Sequence, residues 1–377
     1  MSKYDVIVIG GGIAGLSVAA ELSSEVSVLV LEQEENTAFH SSGRSAAVYS
    51  SSYGSDRTAI YALSKASGDF LKSPPKTFCD NPLLHPRGLL YVTDKEHQET
   101  LRNVHAEMSQ LNGDLRWVEG DFIREKMPLL KEEYTQGAIY TDNVYDVDVH
   151  ELMEGYARQF RRRSGTLKIN TKVEELAYEN DGWVVRCDGA SFWAPIVINA
   201  AGAWADELAQ LAGIDPIGLQ PMRRTAILID PPANVVPDNW PMTVELNETF
   251  FIKPDAGKVL ISPADETLSA PCDSQPEELD IAYAAHYAEE ALGVAVRKVD
   301  HSWSGLRNFV ADRNFVMGFS DQQSGFFWLA GQGGFGIQAG PAMARAAAAM
   351  VLNKDIPEDI AALGFDTNDV SPQRCGG

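Results

Sequence analysis

The sequence predicts an α/β protein of two interleaved domains, and three observations predict it. Residues 1–32 run strand, glycine turn, helix, strand and acid; a second strand, glycine turn and alanine-rich helix closes the chain near Leu352; and between them the texture changes twice.

The opening unit is an apolar, β-branched strand from Lys3 to Ile9, Gly10-x-Gly12-x-x-Gly15, helical spacing from Ile13 to Leu22, a strand from Val26 to Leu31, and Glu32. Gly10 permits the tight strand-to-helix turn, Gly12 lets a pyrophosphate approach the backbone, and Gly15 lets the helix lie against the sheet. Phosphates then sit on unpaired N–H groups at the helix N-terminus, where the dipole favours negative charge. Glu32 can accept hydrogen bonds from ribose hydroxyls. A lone glycine pattern also marks a plain turn in a parallel sheet. With both flanking strands and the acid at this distance, it reads as a Rossmann-like site for the ADP half of a dinucleotide.

After Glu32, the polar loop His40 to Ala47 is too long for a simple turn and rich in hydrogen-bond donors, as functional loops often are. From Ser73, four prolines (Pro74, Pro75, Pro82, Pro86) punctuate the chain before a strand at Leu89 to Thr93, which marks a domain crossing. Asp148 to Arg163 is a helix, with Asp148 as N-cap, Glu151 completing a capping box and Gly165 past its end. Strands follow at Leu167 to Asn170, Trp183 to Cys187 and Ile196 to Asn199. A second departure carries strands at Thr225 to Ile229, Thr249 to Lys253 and Lys258 to Ser262, then a helix from Asp280 to Leu292. Phe326 to Ala330 finally feeds Gly331-Gln332-Gly333-Gly334-Phe335-Gly336 and the closing helix. The expected division assigns residues 1–73, 145–218 and 305–377 to the nucleotide-binding domain. Residues 74–144 and 219–304 form a substrate domain built on a mixed β-sheet.

Composition bounds the function. A chain of 377 residues, 45% hydrophobic, can bury a large core. No apolar run reaches membrane-spanning length, and the N-terminal one belongs to the first strand, so a cytoplasmic protein without a transmembrane segment is expected. A net charge of −22 argues against nucleic acid and anionic lipid as partners, and the one dense basic run, Arg161-Arg162-Arg163, falls at a helix end where cations suit the dipole. Cys79, Cys187, Cys272 and Cys375 have neither CxxC nor histidine spacing, so neither a metal site nor a disulfide frame is expected.

Taken with Val197 to Trp204, Leu219-Gln220-Pro221-x-Arg223-Arg224, Lys253 to Gly257, Gly305-Leu306-Arg307-x-Phe309-Val310-Ala311-Asp312 and Gly333 to Gln338, these motifs give a resemblance over nearly the whole chain. The chain resembles the FAD-dependent amine and amino-acid oxidoreductases of the D-amino acid oxidase type, and within them looks most like the bacterial D-arginine dehydrogenases. The resemblance implies non-covalent FAD held by Gly10, Gly12, Ala14, Gly15, Glu32, Gln33, Ser41, Ser42, Gly43, Arg44, Ser45, Ala46, Ala47, Val48, Val173, Gly202, Gly333, Gly334, Phe335, Gly336, Ile337 and Gln338. It implies hydride transfer from a carbon next to nitrogen to the flavin, leaving an imine that water hydrolyses to a keto acid and ammonia. Arg224 and Arg307 fall where such enzymes hold the substrate carboxylate, and Tyr53 and Gly334 where they have active-site groups. A structural ion pair is the competing role for either arginine, and half-buried packing for Tyr53. Arg223, adjacent on a strand, must face the other way, toward a solvated or salt-bridged surface.

Val48 stands where D-arginine dehydrogenases have a histidine, Leu89 where they have the glutamate that meets a cationic side chain, and Phe251 where they have a tyrosine. A cation against Leu89 would lose water without gaining a counter-charge. With Met242 and Val244, these residues predict a pocket for neutral, hydrophobic D-amino acids such as D-methionine, D-leucine or D-phenylalanine. Oxidoreductases of secondary amines such as sarcosine, or of 2-hydroxy acids, and an FAD-binding sensor are the alternatives. No base stands near Val48, so the amine proton is expected to leave to water or through Tyr53, with a rate that rises with pH. The electron acceptor is encoded by no motif.

Overall fold

The computed structural model describes residues 1–51, 58–111 and 113–375. Among these, six strands form one sheet in the order Thr166–Lys168, Val28–Leu31, Val6–Ile9, Ile196–Asn199, Phe326–Ala330 and Val316–Phe319. The first five are parallel and the last is antiparallel. Ile9 lies opposite both Leu31 and Asn199, and Asn199 opposite Trp328. The carboxyl ends therefore come level, and the residues that follow them share the edge where open α/β sheets bind ligands.

These strands are apolar on both faces because both are covered. Val6, Val8, Val28, Val30, Ile198, Phe327 and Leu329 pack with the helices Ile13–Leu22, Thr58–Lys72, Val149–Arg162 and Gly336–Val351. Ile7, Ile9, Leu29, Leu31, Val197, Phe326 and Trp328 pack on a small sheet of Val173–Tyr178, Trp183–Cys187 and Ala190–Ala194, edged by Ser2–Lys3. The single strand expected from Lys3 to Ile9 is thus two, in different sheets. The break falls at Tyr4 and Asp5, where the Asp5 carboxylate accepts the Ser27 N–H at 2.8 Å.

A second, nine-stranded mixed sheet runs from His301–Phe309 through Gln220–Ile229, Lys258–Ser262, Phe251–Asp255, Met242–Glu245, Leu89–Val92 and Ala138–Thr141 to Arg116–Val118, with Thr267–Leu268 beside Gln220–Ile229. Strand alternation splits its side chains cleanly. Leu90, Val92, Ile227, Ile229, Ile252 and Ile261 pack with the helix Glu278–Leu292. Leu89, Ala226, Met242, Val244, Phe251 and Leu260 gather on the opposite face. The border expected between residues 304 and 305 lies inside the continuous strand His301–Phe309, which pairs with Gln220–Ile229 from Gln220–Phe309 to Leu228–His301.

The helix Val149–Arg162 begins as its sequence implies, with the Asp148 carboxylate accepting the Glu151 N–H at 2.8 Å. Glu151 does not complete the box. Its carboxylate accepts instead from the Asp80 N–H at 3.0 Å and Asn81 Nδ2 at 3.2 Å, which pins the proline-rich segment before it.

Candidate active site

A cavity of about 650 Å³ extends from the carboxyl edge of the six-stranded sheet to the free face of the nine-stranded one. At its sheet end lie Gly10, Gly12, Ala14, Glu32 and Gln33. Gly10 has φ +110°, and a Cβ there would stand 2.3 Å from the Ala200 carbonyl oxygen. A Cβ on Gly15 would stand 1.9 Å from the Gly10 carbonyl oxygen, so Gly15 serves helix-to-strand contact and does not itself line the cavity. Glu32 is buried, and its two oxygens accept the N–H groups of Gly11 at 2.7 Å and Glu34 at 2.9 Å. The acid therefore braces the glycine turn while lining the cavity.

The loop after Glu32 supplies one long wall, with Ser41, Ser42, Arg44, Ser45, Ala46, Ala47 and Val48 all lining it. Ser42 Oγ accepts the Ile13 N–H at 3.0 Å, across from Gly12, and Ser41 Oγ donates to the Leu306 carbonyl at 2.6 Å. Arg44 is an anchor as well as a wall: its guanidinium donates to the carbonyls of Ser274 at 2.8 Å and Ser304 at 3.1 Å and pairs with Asp273. Gly43 does not line the cavity; a Cβ there would strike the Ala38 carbonyl at 2.3 Å, so its job is the turn. His40 hydrogen-bonds Glu34 at 2.9 Å and packs on Trp204. Val173 and Gly202 line the opposite side.

The closing glycine turn borders the middle of the cavity, from Gln332 to Gln338. Gly333 has φ +53°, its N–H donates to the Asn308 carbonyl at 2.9 Å, and a Cβ there would meet the Phe309 ring at 2.3 Å. Above Gly334 lies the Arg307 guanidinium, whose Cζ is 3.2 Å from where a Cβ would be. The helix Gly336–Val351 starts directly afterwards, so two helix N-termini border one cavity.

At the far end, register decides which arginine enters. Arg224 pairs with Gly305 and Met222 with Arg307, so Arg224 and Arg307 are diagonal neighbours on one face. Arg223 takes the other face, as expected, but it is buried and not at a solvated surface: it pairs with Asp280 at 3.0 Å and with Glu277. Arg224 Nη2 pairs with Glu266 Oε1 at 3.1 Å. Burial pushes the Arg224 guanidinium below its ordinary pKa, against the pull of Glu266, Asp265 and Glu248. Of the residues expected in the pocket, Val48, Met242, Val244 and Phe251 line the cavity, and with Tyr91, Phe250 and Trp303 they form its apolar wall. Leu89 is a correction: it packs with Met242 and Phe251 beneath that wall and does not line the cavity. Tyr91, two residues on and on the same strand face, takes that place, a shift the alternation of Leu89–Val92 already encodes. Glu266 and Arg313 also line the site, with no motif to announce them. Tyr53 lies outside the described residues.

Among the described residues, four buried polar atoms that belong to the cavity lining lack hydrogen-bond partners: Arg224 Nε, Asn308 Oδ1, Gln332 Nε2 and Gln338 Nε2. Buried orphans are costly unless a ligand completes them. Donors and acceptors around the glycine turn, two helix N-termini and an elongated cavity fit an extended dinucleotide carrying a polar ring system. None of the four cysteines lines this cavity.

The fold and cavity define a protein with a dinucleotide site at the carboxyl edge of an open α/β sheet, continued by a chamber lined with arginines and apolar side chains. Residues 5–350 match the family described as FAD dependent oxidoreductase (DAO), and the chain belongs to that family. FAD is its cofactor. Glycine oxidase from Geobacillus kaustophilus is 23% identical over 372 residues, covering 95% of this chain and 96% of that protein. Its crystal structure matches with a TM-score of 0.83 over 96% of this chain and 98% of that one. L-proline dehydrogenase from P. horikoshii, at 19% identity, matches with a TM-score of 0.81 over 99% of this chain and 98% of that one. L-2-hydroxyglutarate dehydrogenase from Escherichia coli K12 is 27% identical over 220 residues, 56% of this chain, and the match spans only 51% of that enzyme. None of these relatives is a D-arginine dehydrogenase. No helix among the described residues is long and apolar enough to cross a membrane.

Proposed function

We propose that this chain oxidises 2-amino acids with neutral, apolar side chains, in the D series. One observation carries the reading: Arg307 lies over the Gly334 turn in the same chamber as Tyr91, Met242, Val244 and Phe251. Bound FAD supplies a two-electron acceptor for a C–H bond next to nitrogen or oxygen. Arg307 offers a planar fork to the substrate carboxylate, and the apolar wall takes the side chain out of water. Arg224, already tied to Glu266, borders the same chamber and keeps its charge. Ser41, Ser42, Gln332 and Gln338 hold the cofactor in this reading, and preference for the D enantiomer rests solely on the motifs shared with the D-amino acid oxidase type.

A second reading, oxidation of 2-hydroxy acids, draws support from the L-2-hydroxyglutarate dehydrogenase match, because the same arginine can hold a hydroxy-acid carboxylate. Anaerobic bleaching of the bound flavin separates the two. D-methionine is expected to bleach it faster than L-methionine, N-methylglycine or 2-hydroxy acids, and Arg307→Met to weaken apparent affinity by about 2 kcal/mol, roughly thirtyfold. Bleaching by 2-hydroxy acids alone selects the second reading; unchanged affinity in Arg307→Met removes Arg307 as the clamp.

A further inference from the structure

Arg44, Arg224, Arg307 and Arg313 line the cavity, and Arg224 and Arg313 share an anion. Glu266 Oε1 accepts from Arg224 Nη2 at 3.1 Å and Arg313 Nη2 at 2.8 Å, while Oε2 accepts from Arg313 Nη1 at 3.1 Å. All three residues line the cavity. Arg224 is largely buried, with 12% of its side chain exposed, against 35% for Glu266 and 37% for Arg313. Neither cation is free to drift. Arg313 lies over the Phe309 ring, its Cζ 3.7 Å from the centroid, and Arg224 projects from a central position of a paired strand. Gly305, opposite Arg224, adds no side chain there, and a Cβ on it would touch Arg44 Cβ at 3.7 Å and Ser41 Cα at 3.8 Å, so the loop after Glu32 lies close over this register position.

Two guanidinium groups flanking one carboxylate is how a protein recognises the carboxylate of a ligand. Here the chain supplies that carboxylate itself. We infer that Glu266 is a specificity-determining residue: it fills the anion position between Arg224 and Arg313 and so bars a second carboxylate on the substrate. The inference rests on the chamber taking an acid substrate. An incoming dicarboxylate finds both guanidinium groups already hydrogen-bonded to Glu266, so its far carboxylate has to share that position with a second negative charge or displace it. An apolar tail meets no such cost. Protonation does not lift the bar at neutral pH: burial pushes the Glu266 carboxyl up, but Arg313, Arg224 and Arg307 outweigh it and hold it below its ordinary range.

The test titrates FAD-loaded protein with glutarate and with butanoate, reading the perturbation of the flavin absorption spectrum, which needs no turnover. Wild type is expected to bind butanoate ahead of glutarate. Glu266→Gln keeps the size and removes the charge, and is expected to raise glutarate affinity about tenfold while moving butanoate by less than about threefold. A glutarate-to-butanoate ratio that stays the same or falls overturns the inference. Glu266→Ser is judged by the same ratio should the glutamine variant lose FAD. Turnover gives a separate arm, since kcat/KM for D-glutamate relative to D-methionine should rise in parallel. If the binding ratio rises but no amino acid is oxidised in any variant, the substrate reading fails and the role of Glu266 stands.

Discussion

Arg223 and Arg224 are one position apart and share no face. The first closes a buried ion network with Asp280 and Glu277, and the second enters the chamber, a split that follows from strand alternation alone. The glycines of the closing turn divide their work similarly. Gly333→Ala would force a positive φ on a side chain and drive it into Phe309, so the purified variant is expected to retain little FAD. Gly334→Ala meets the Arg307 guanidinium first, at 3.2 Å. It is expected to keep FAD but weaken binding of carboxylate ligands several-fold, as spectral titration with butanoate would register. At this scale the sequence was legible where a residue's role is conformational, as for Gly10 and Gly15. It was less legible for depth: Leu89 and Tyr91 share a face, and only the packing of Met242 and Phe251 over Leu89 decides which reaches the cavity.

At the scale of elements, runs bounded by turn residues were read to the residue: Trp183–Cys187, Ile196–Asn199, Lys258–Ser262 and Phe326–Ala330. Gln220–Ile229 was read only from Thr225, because Pro221, Arg223 and Arg224 interrupt its apolar pattern. No expected element covers the helix Thr58–Lys72, whose buried face mixes small residues such as Ala59, Ala62, Ser64 and Ser67 with Ile60, Leu63 and Leu71. Two elements carry predictions. Asp148→Ala removes the N-cap of Val149–Arg162 and is expected to cost about 1 kcal/mol in urea unfolding. Arg44→Met cuts the loop's ties to Asp273, Ser274 and Ser304, and FAD is expected to dissociate about tenfold faster, measured by release into excess apoprotein-free buffer.

Across the whole molecule, buried tyrosines are expected to lower stability at alkaline pH. Burial pushes Tyr49, in the core of the six-stranded sheet, up to about 12 from 10.0, and raises Tyr134 and Tyr140, in the core of the nine-stranded one. The unfolded chain loses these protons first. The stability they contribute is therefore complete below pH 10 and falls as pH rises toward 12. Thermal unfolding followed from pH 9 to 12 is expected to show Tm dropping above about 10, and Tyr49→Phe to flatten the drop. An unchanged slope in that variant would rule out Tyr49 as a contributor.

The strand His301–Phe309 touches each working part of the site. Its Trp303 indole donates to the Arg44 carbonyl at 3.0 Å, its Leu306 carbonyl holds Ser41, its Asn308 carbonyl holds Gly333, and its Arg307 overlies Gly334. Cofactor loop, glycine turn and carboxylate clamp are thus fastened to nine consecutive residues of one ladder. The spacing among the three parts is therefore set by one ladder, whichever sheet each part springs from.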